Sequence, residues 1–339
     1  MAVPAARRDT AGRSRPEAAG PRSEAAGPRS APPGPDQPTV AVLVVTYNSA
    51  PLLADLVDSL AVGLAGITWH LTVADNASAD DTVAVLRGLA PDATIIEMGR
   101  NAGYAAGINA AAAAAGPRTA LLVLNADVRL TPGCAAELLG QLSPGTGLAV
   151  PQLVDGNDDL IESMRREPTV LRAWGDALLG ATRAGRIASL GEVVTRGPSY
   201  QQPAIVDWAE GSTLLISADC WERCAPWDES FFLYSEETDF ALRARDAGYL
   251  TRYVPTARAI HLEGDSGQSP PLWTLLTLNR IRLFRKRNGP VATAAYWAAL
   301  VCREGSRALL GKPTSRAAVR ALLSPRRLRE PRGPDSVHA

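Results

Sequence analysis

The side chains able to do chemistry fall into a few short groups. Four of these groups follow apolar runs: Thr46-Tyr47-Asn48, Asp75-Asn76-Ala77-Ser78, Arg100-Asn101-Ala102-Gly103-Tyr104 and Asn125-Ala126-Asp127. A fifth is acidic, Glu236-Glu237-Thr238-Asp239, and His261 precedes a polar, Gly-containing stretch at 263–269. Turn chemistry explains any one of the first four, because Asn, Asp and Gly are the residues that turns prefer. Four in succession, each closing an apolar run, instead make one polar crevice of amides, hydroxyls and acids. The acidic group sits where a helix begins, a place where the helix dipole stabilises negative charge. Capping accounts for it, and so does a general base.

The elements that must position these groups alternate. VAVLVV (40–45), WHLTVAD (69–75), TIIEM (94–98) and ALLVLNAD (120–127) read as strands, the first a buried parallel one. Helices are predicted at 51–64, with Pro51 suited to the first turn, near 79–89, and at 105–115. The alternation predicts an α/β doubly wound sheet with its ligand at the carboxyl ends of the strands. Residues 128–205 are less regular and read as acceptor-facing insertions. A strand at 207–217, a helix at 236–247 and a strand at 249–255 follow, and beyond 271 the pattern is helical and basic.

Composition bounds the rest. Apolar residues make up 46% and charged residues 21%, ordinary for a globular chain. Residues 1–38 hold eight prolines and the repeat EAAGPRS at 17–23 and 24–30, so they are expected to be a disordered leader without a catalytic role. The net charge of zero hides an asymmetry: residues 280–339 hold 14 Lys+Arg against 3 Asp+Glu. Such a basic end suits an anionic surface, and beside apolar helices lipid head groups suit it better than nucleic acid. The four cysteines have no zinc spacing, and Cys220 and Cys224 are one helical turn apart as in core packing. No apolar core of a signal peptide stands at the start, and 290–302 is too short to span a bilayer. The expectation is a cytoplasmic protein, peripheral at the inner face of the plasma membrane.

Two classes are disfavoured. Gly103 and Gly107 are spaced G-x-x-x-G, which lets backbones approach closely but is not the dinucleotide fingerprint, so a nicotinamide dehydrogenase does not fit. A sugar nucleotidyltransferase should open with a Gly-rich loop bearing Arg and Lys after strand one, where TYNSAPLL stands instead.

The motif series VVTYNS (44–49), VADNASADDT (73–82), RNAGYAAGINAA (100–111), LNADV (124–128), WAEGSTLLIS through EETDFALRARDAGY (208–249) and AIHLEGDSG (259–267) resembles the family-2 glycosyltransferases, in the rhamnosyltransferase and galactofuranosyltransferase branch. The resemblance covers roughly 39–287 and implies a GT-A nucleotide-diphospho-sugar transferase fold, a Rossmann-like doubly wound mixed sheet followed by C-terminal helices. Residues 288–339 would then be a basic helical extension with a disordered end.

The resemblance implies an inverting, metal-assisted enzyme. Thr46 and Asn48 would line the base pocket, and Asp75 would accept from the ring N–H of uracil or thymine. Arg100 would lie near the diphosphate, where a guanidinium favours phosphate oxygens. Asn76, Asn101, Gly103, Asn125 and Ala126 would complete the donor side. Asn125-Ala126-Asp127 takes the place of the family's D-x-D motif, leaving Asp127 as its carboxylate ligand and His261 as the second ligand, for Mg2+ or Mn2+. Glu237 would be the base that deprotonates an acceptor hydroxyl, with Glu236 next and Asp239 holding the acceptor or the motif. Trp208 and Trp227 are candidates to stack on sugar, and 263–269 reads as a lid. Arg280, Arg282, Arg285, Lys286 and Arg287 would meet the diphosphate or an anionic acceptor. The implied donor is dTDP-L-rhamnose, then UDP-galactofuranose or another UDP-hexose, and the implied acceptor is a cell-surface or polyprenyl-linked glycan. An inactive sugar-nucleotide-binding module is the alternative.

Overall fold

The computed structural model describes residues 39–195, 197–262, 269–331 and 333–334. The leader at 1–38, most of the expected lid (263–268) and the end of the tail lie outside them.

The first half follows the predicted alternation. β1 (Thr39–Thr46) leads through a 3₁₀ turn at Ala50–Leu52 into α1 (Leu53–Gly63). β2 (Thr68–Asp75), α2 (Thr82–Leu89), β3 (Thr94–Glu97), α3 (Tyr104–Ala114) and β4 (Ala120–Asn125) follow. Next come β5 (Val128–Leu130), α4 (Cys134–Leu139), β6 (Thr146–Val154), β7 (Met164–Arg165), α5 (Val170–Leu179) and α6 (Ala181–Ala184). The chain continues through β8 (Ala204–Val206), β9 (Trp208–Ala209), β10 (Thr213–Ser217), α7 (Ala218–Cys224), α8 (Glu236–Asp246) and β11 (Leu250–His261). Helices α9 (Pro270–Arg287), α10 (Pro290–Leu309), α11 (Pro313–Leu322) and α12 (Pro325–Arg329) close it.

One mixed sheet runs β3-β2-β1-β4-β10-β6-β11-β5, with β8 also paired to β11. β1 is flanked in parallel by β2 and β4, and β10 enters antiparallel beside β4. The side chains of β1 divide with period two, as a pleated strand requires. Ala41 and Leu43 pack with Ile108 of α3, Trp221 of α7 and Phe240 of α8. Val40, Val42 and Val44 pack on the other face with Leu56 and Leu60 of α1 and Leu138 of α4. Helices thus cover both faces. Each such fully buried Val or Leu contributes roughly 1.5–3 kcal/mol.

Two strands exceed the sequence reading. β6 arises from the stretch read as insertion and lies between β10 and β11, near the sheet centre. Gly147 and Pro151 blur its strand pattern, yet a Cβ at position 147 would fall 2.8 Å from Cys220 and Tyr249, so the glycine serves close packing. β11 continues to His261 because a register shift between Val254 and Arg258 absorbs the irregular residues where the strand was expected to end.

A third apolar cluster unites α9 (Leu278, Ile281, Phe284), α10 (Tyr296, Ala299, Leu300), α11 (Ala321, Leu322) and Ala173 of α5. Phe284 and Tyr296 stack with centroids 4.0 Å apart. Most of the cationic series on α9 is engaged within the protein as well, with Arg285 exposed. Arg280 pairs with Glu192, and Lys286 lies 2.8 Å from Asp228 and 2.7 Å from Asp239. Arg287 reaches Glu167 at 3.4 Å and Asp246 at 2.7 Å, and Arg282 lies over Phe231. The expected diphosphate contact by this series is therefore corrected for Arg280, Lys286 and Arg287: protein carboxylates hold them and pin α9 to the sheet domain.

Candidate active site

The strand ends converge as the parallel register demands. Thr46 is paired with Asp75, and Val45 with Asn125, so the three clusters meet at one edge. β10 brings Glu210-Gly211-Ser212 to the same edge, where Asn125 N–H donates to Ser212 O at 3.0 Å. His261 pairs across β11 and β5 with Val128, and Leu262 N–H donates to Asp127 O at 3.1 Å. Residues as distant in the chain as Thr46, Asn125 and His261 thereby share one cavity of about 560 Å³ with Glu236 and Glu237 of α8.

Of the donor-side residues, Thr46, Asn76, Asn101, Gly103, Asn125 and Ala126 line this cavity. Asn76 braces the next loop, donating from Nδ2 to Gly103 O at 3.1 Å and accepting from Ala102 N–H at 3.3 Å. Gly103 has φ +93°, and a Cβ there would collide with Phe232, whose carbonyl accepts from Tyr104 N–H at 2.8 Å. A Cβ at Gly107 would stand 2.7 Å from Val45, so this pair does permit the close approach of α3.

Three expected donor contacts lie elsewhere. Asp75 is buried behind Thr46, accepting from Thr46 Oγ1 at 2.8 Å, from Ser78 Oγ at 2.5 Å and from Ser78 N–H at 2.9 Å. Asn48 ties two strand-end loops together, its Oδ1 accepting from Ala79 N–H at 2.7 Å, and turn chemistry explains it. Arg100 is exposed and outside the cavity lining. Neither tryptophan lines the cavity: Trp227 is core against Phe240 and Tyr104, and Trp208 donates to Arg166 O at 3.1 Å.

The acidic group divides. Glu237 is half-buried and faces the cavity, whereas Glu236 is buried in its wall. Asp239 does not line the cavity. It is fully buried and held by Arg243 Nε at 2.8 Å and by Lys286, so its place is structural, contrary to the expected acceptor contact. Tyr234 and Ser235, just before α8, have φ of +70° and +77°, a left-handed turn that non-glycine residues rarely adopt and that aims the helix start at the cavity. Burial pushes Glu237 up to about 7, against the backbone hydrogen bonds at the helix start. Burial, joined by the charge of Glu237, pushes Glu236 well above the carboxylate range.

His261 lies between two carboxylates. Its Nε2 is 3.4 Å from Asp127 Oδ1 and its Nδ1 is 3.2 Å from Glu210 Oε1. Burial works against charge on the ring, yet Asp127 and Glu210 together raise its pKa to about 10. Burial likewise would raise Glu210, but His261 and Arg165 bring it below its usual value. The contact of Glu210 with His261, 51 positions later, is not foreseen from the sequence.

A divalent cation fits here. Asp127 and His261 present one oxygen and one nitrogen 3.4 Å apart at the cavity wall, a spacing that suits two neighbouring ligands about 2.1 Å from an octahedral ion. Among the described residues no three His, Cys, Asp or Glu form a complete cage, so substrate oxygens and water would fill the remaining positions. Three further buried atoms of the lining, Tyr104 Oη, Ser212 Oγ and Glu236 Oε2, have no hydrogen-bond partner among the described residues. Such orphans mark where a polar ligand belongs.

The mixed sheet with this cavity at its carboxyl edge has the GT-A fold. A mannosyltransferase from Pyrobaculum calidifontis, solved with GDP-Man and Mn2+, superposes with a TM-score of 0.52 over 86% of this chain and 87% of its own, at 19% identity. Residues 41–190 match the model of glycosyl transferase family 2. The chain's homologues are rhamnosyltransferases. N-acetylglucosaminyl-diphospho-decaprenol L-rhamnosyltransferase of Mycobacterium tuberculosis is 28% identical over 242 residues, 68% of this chain and 78% of that protein. Rhamnosyltransferase WbbL of Escherichia coli is 36% identical over 63 residues, 19% of this chain and 24% of that protein.

Proposed function

We propose that the protein transfers L-rhamnose from dTDP-rhamnose, with inversion and with the aid of Mg2+ or Mn2+, to a hydroxyl of a polyprenyl-linked or cell-surface glycan. The observation that carries this reading is the meeting of Asp127, His261 and Glu237 in one cavity, beside buried polar atoms without partners. Glu237 suits the base: it reaches the cavity, and its raised pKa matches a group that takes a proton near neutral pH. In the step proposed, the acceptor hydroxyl gives its proton to Glu237 as its oxygen bonds to the anomeric carbon. The bond from that carbon to the diphosphate breaks on the opposite face, the electron pair leaves with the nucleotide diphosphate, and the configuration inverts.

Asp127 and His261 would hold the cation, which when bound offsets the charge growing on the departing diphosphate. Glu236, kept protonated by its surroundings, would donate a hydrogen bond rather than take a proton. The base would lie against Thr46 and Asn76, with Asp75 orienting the Thr46 hydroxyl from behind. The acceptor class comes from the mycobacterial relative, whose name states a diphospho-decaprenol acceptor. No helix among the described residues is long and apolar enough to cross a membrane, and we place the protein in the cytoplasm, at the membrane's inner face.

A donor panel with a polyprenyl-diphosphate-GlcNAc acceptor, run with and without EDTA, tests the reading. Transfer from dTDP-rhamnose that stops on chelation is the expected result. Transfer from a UDP-hexose or UDP-galactofuranose alone would reassign the donor. Nucleotide binding without turnover of any donor would make the protein a binding module.

A further inference from the structure

The inward pairing of the α9 cations leaves a different basic surface exposed. Residues 305–329 contain seven Lys+Arg and no Asp or Glu. At the turn between α10 and α11, Leu309 and Leu310 are 90% and 81% exposed, and Gly311, with φ +90°, reverses the chain. Lys312 and Arg316 are exposed beside them, Lys312 N–H donating to Arg307 O at 3.1 Å and Arg316 Nε to Ala308 O at 3.3 Å. The acid nearest in sequence, Glu304, is fully buried and satisfied by Trp273 and Arg303. The tip therefore presents two adjacent leucines ringed by cations.

The same contacts fix which way the tip faces. α9 and α10 form an antiparallel hairpin, because Trp273 near the start of α9 donates from Nε1 to Glu304 near the end of α10 at 2.9 Å. Leu309 lies five residues beyond Glu304, roughly 7–8 Å further along the axis at the helical rise. Leu272, one residue before Trp273, lines the cavity. α11 then runs back, Trp297 Nε1 donating to Leu322 O at 2.9 Å. The leucine tip thus projects from the end of the hairpin that closes the cavity, not from the far end.

We propose that this tip docks on an anionic lipid bilayer, Leu309 and Leu310 entering the head-group region while Lys312 and Arg316 meet lipid phosphates, so that the cavity mouth is held beside the membrane. Adjacent exposed leucines are costly in water and gain on entering the interface, and basic side chains near an anionic leaflet add to the attraction. The absence of any carboxylate across 305–329 makes the charge complementarity one-sided. The inference rests on the lipid-linked acceptor proposed above, and it assigns the surface and the orientation that such an acceptor requires.

Sedimentation of the full chain with vesicles of phosphatidylcholine containing about one-third phosphatidylglycerol, against phosphatidylcholine alone, tests it. Binding should be roughly tenfold or more stronger to the anionic vesicles and should weaken with added salt. The double variants L309S/L310S and K312E/R316E should each lower it by roughly tenfold, with circular dichroism unchanged, since all four side chains are exposed. Absence of binding to anionic vesicles, or two variants that bind as the parent does, overturns the proposal. Stronger binding to a short RNA than to the anionic vesicles at equal salt would also overturn it. Thermal shift with UDP or dTDP and Mn2+ separates the two readings. Nucleotide binding with no vesicle response sinks only the docking surface, whereas vesicle binding with no nucleotide response upholds the surface and sinks the transferase reading.

Discussion

Gly211 packs against the side of Glu237: a Cβ at position 211 would stand 2.9 Å from both Cβ and Cγ of the glutamate. The glycine keeps the β10 approach low enough for the carboxylate to lie over the cavity. Gly211→Ala should push that carboxylate aside, and displacements of about 1 Å can cost about 100-fold in rate. The expected result is a kcat lower by roughly 10–100-fold with the donor KM little changed. Gly88→Ala, where a Cβ meets nothing within 4 Å, should leave both unchanged. A Gly211→Ala enzyme of normal kcat would show that Glu237 is not the positioned base.

Glu237→Gln keeps the shape of the side chain and removes its ability to take a proton. Transfer should fall by roughly 100–10,000-fold, the range of a general base, while donor binding by calorimetry stays within about twofold. Asp127→Ala should abolish transfer through a different loss. Its nucleotide should bind more weakly only when Mn2+ is present, because the side chain acts through the cation. The split between the two variants separates base from metal ligand.

The pH profile carries the same assignment. Glu237 acts only when ionised, and burial raises it to about 7. Activity should therefore rise with pH through about 7 and level off above it, falling about tenfold per unit well below. A bound cation near the cavity would favour the ionised carboxylate and move this limb to lower pH. In residual-activity measurements on Glu237→Gln the limb should disappear, and its persistence would transfer the role to another group.

How much of this was legible depends on the range of the signal. The β1–β4 half announced itself through short apolar runs and polar ends, and the structure sets those ends side by side. Asp239 was misread as part of the chemistry, although helical geometry already spoke against it. Two residues along a helix turn the side chain by about 200°, so Glu237 and Asp239 cannot share one face. The α9 cations were read as meeting the diphosphate or an anionic acceptor because their carboxylate partners, Glu167, Glu192 and Asp228, lie on segments with little regular pattern. The contact between Glu210 and His261 carried no local signal, since 207–217 reads only as a strand and the sheet alone brings the two together.

Asp239 and Lys286 supply a stability test that also removes a catalytic suspect. The carboxylate is fully buried, while Lys286 and Arg243 keep 38% and 28% of their side-chain surface. Asp239→Asn removes the carboxylate that Arg243 and Lys286 share, leaving Lys286 its bond to Asp228, and the loss should be about 2 kcal/mol, below that of a wholly buried pair. Urea unfolding should show the lower midpoint. At temperatures where the variant is folded, kcat should remain within a few-fold of the parent. A folded variant with more than about a hundredfold loss would return Asp239 to the reaction.

Glu210 is the positioning residue this geometry adds. Its Oε1 lies 3.2 Å from His261 Nδ1, while Nε2 on the other edge faces Asp127. With a proton on Nδ1 beside the carboxylate, a cation next to Asp127 would displace the Nε2 proton and take that lone pair, the arrangement in which an outer carboxylate fixes the tautomer and basicity of a histidine ligand. Arg165, 3.8 Å from the other oxygen of Glu210 and packed over Trp208, holds the carboxylate in place. Glu210→Gln can still accept at its amide oxygen but lacks the charge, so Mn2+ affinity in the presence of UDP should fall by about 10–100-fold. Calorimetry reads that loss directly, without turnover. Saturating Mn2+ should then restore most of kcat, because Glu237 keeps its carboxylate. An affinity equal to the parent's would mean that His261 is oriented by β11 alone, and a kcat that Mn2+ cannot restore would mean that Glu210 touches substrate instead.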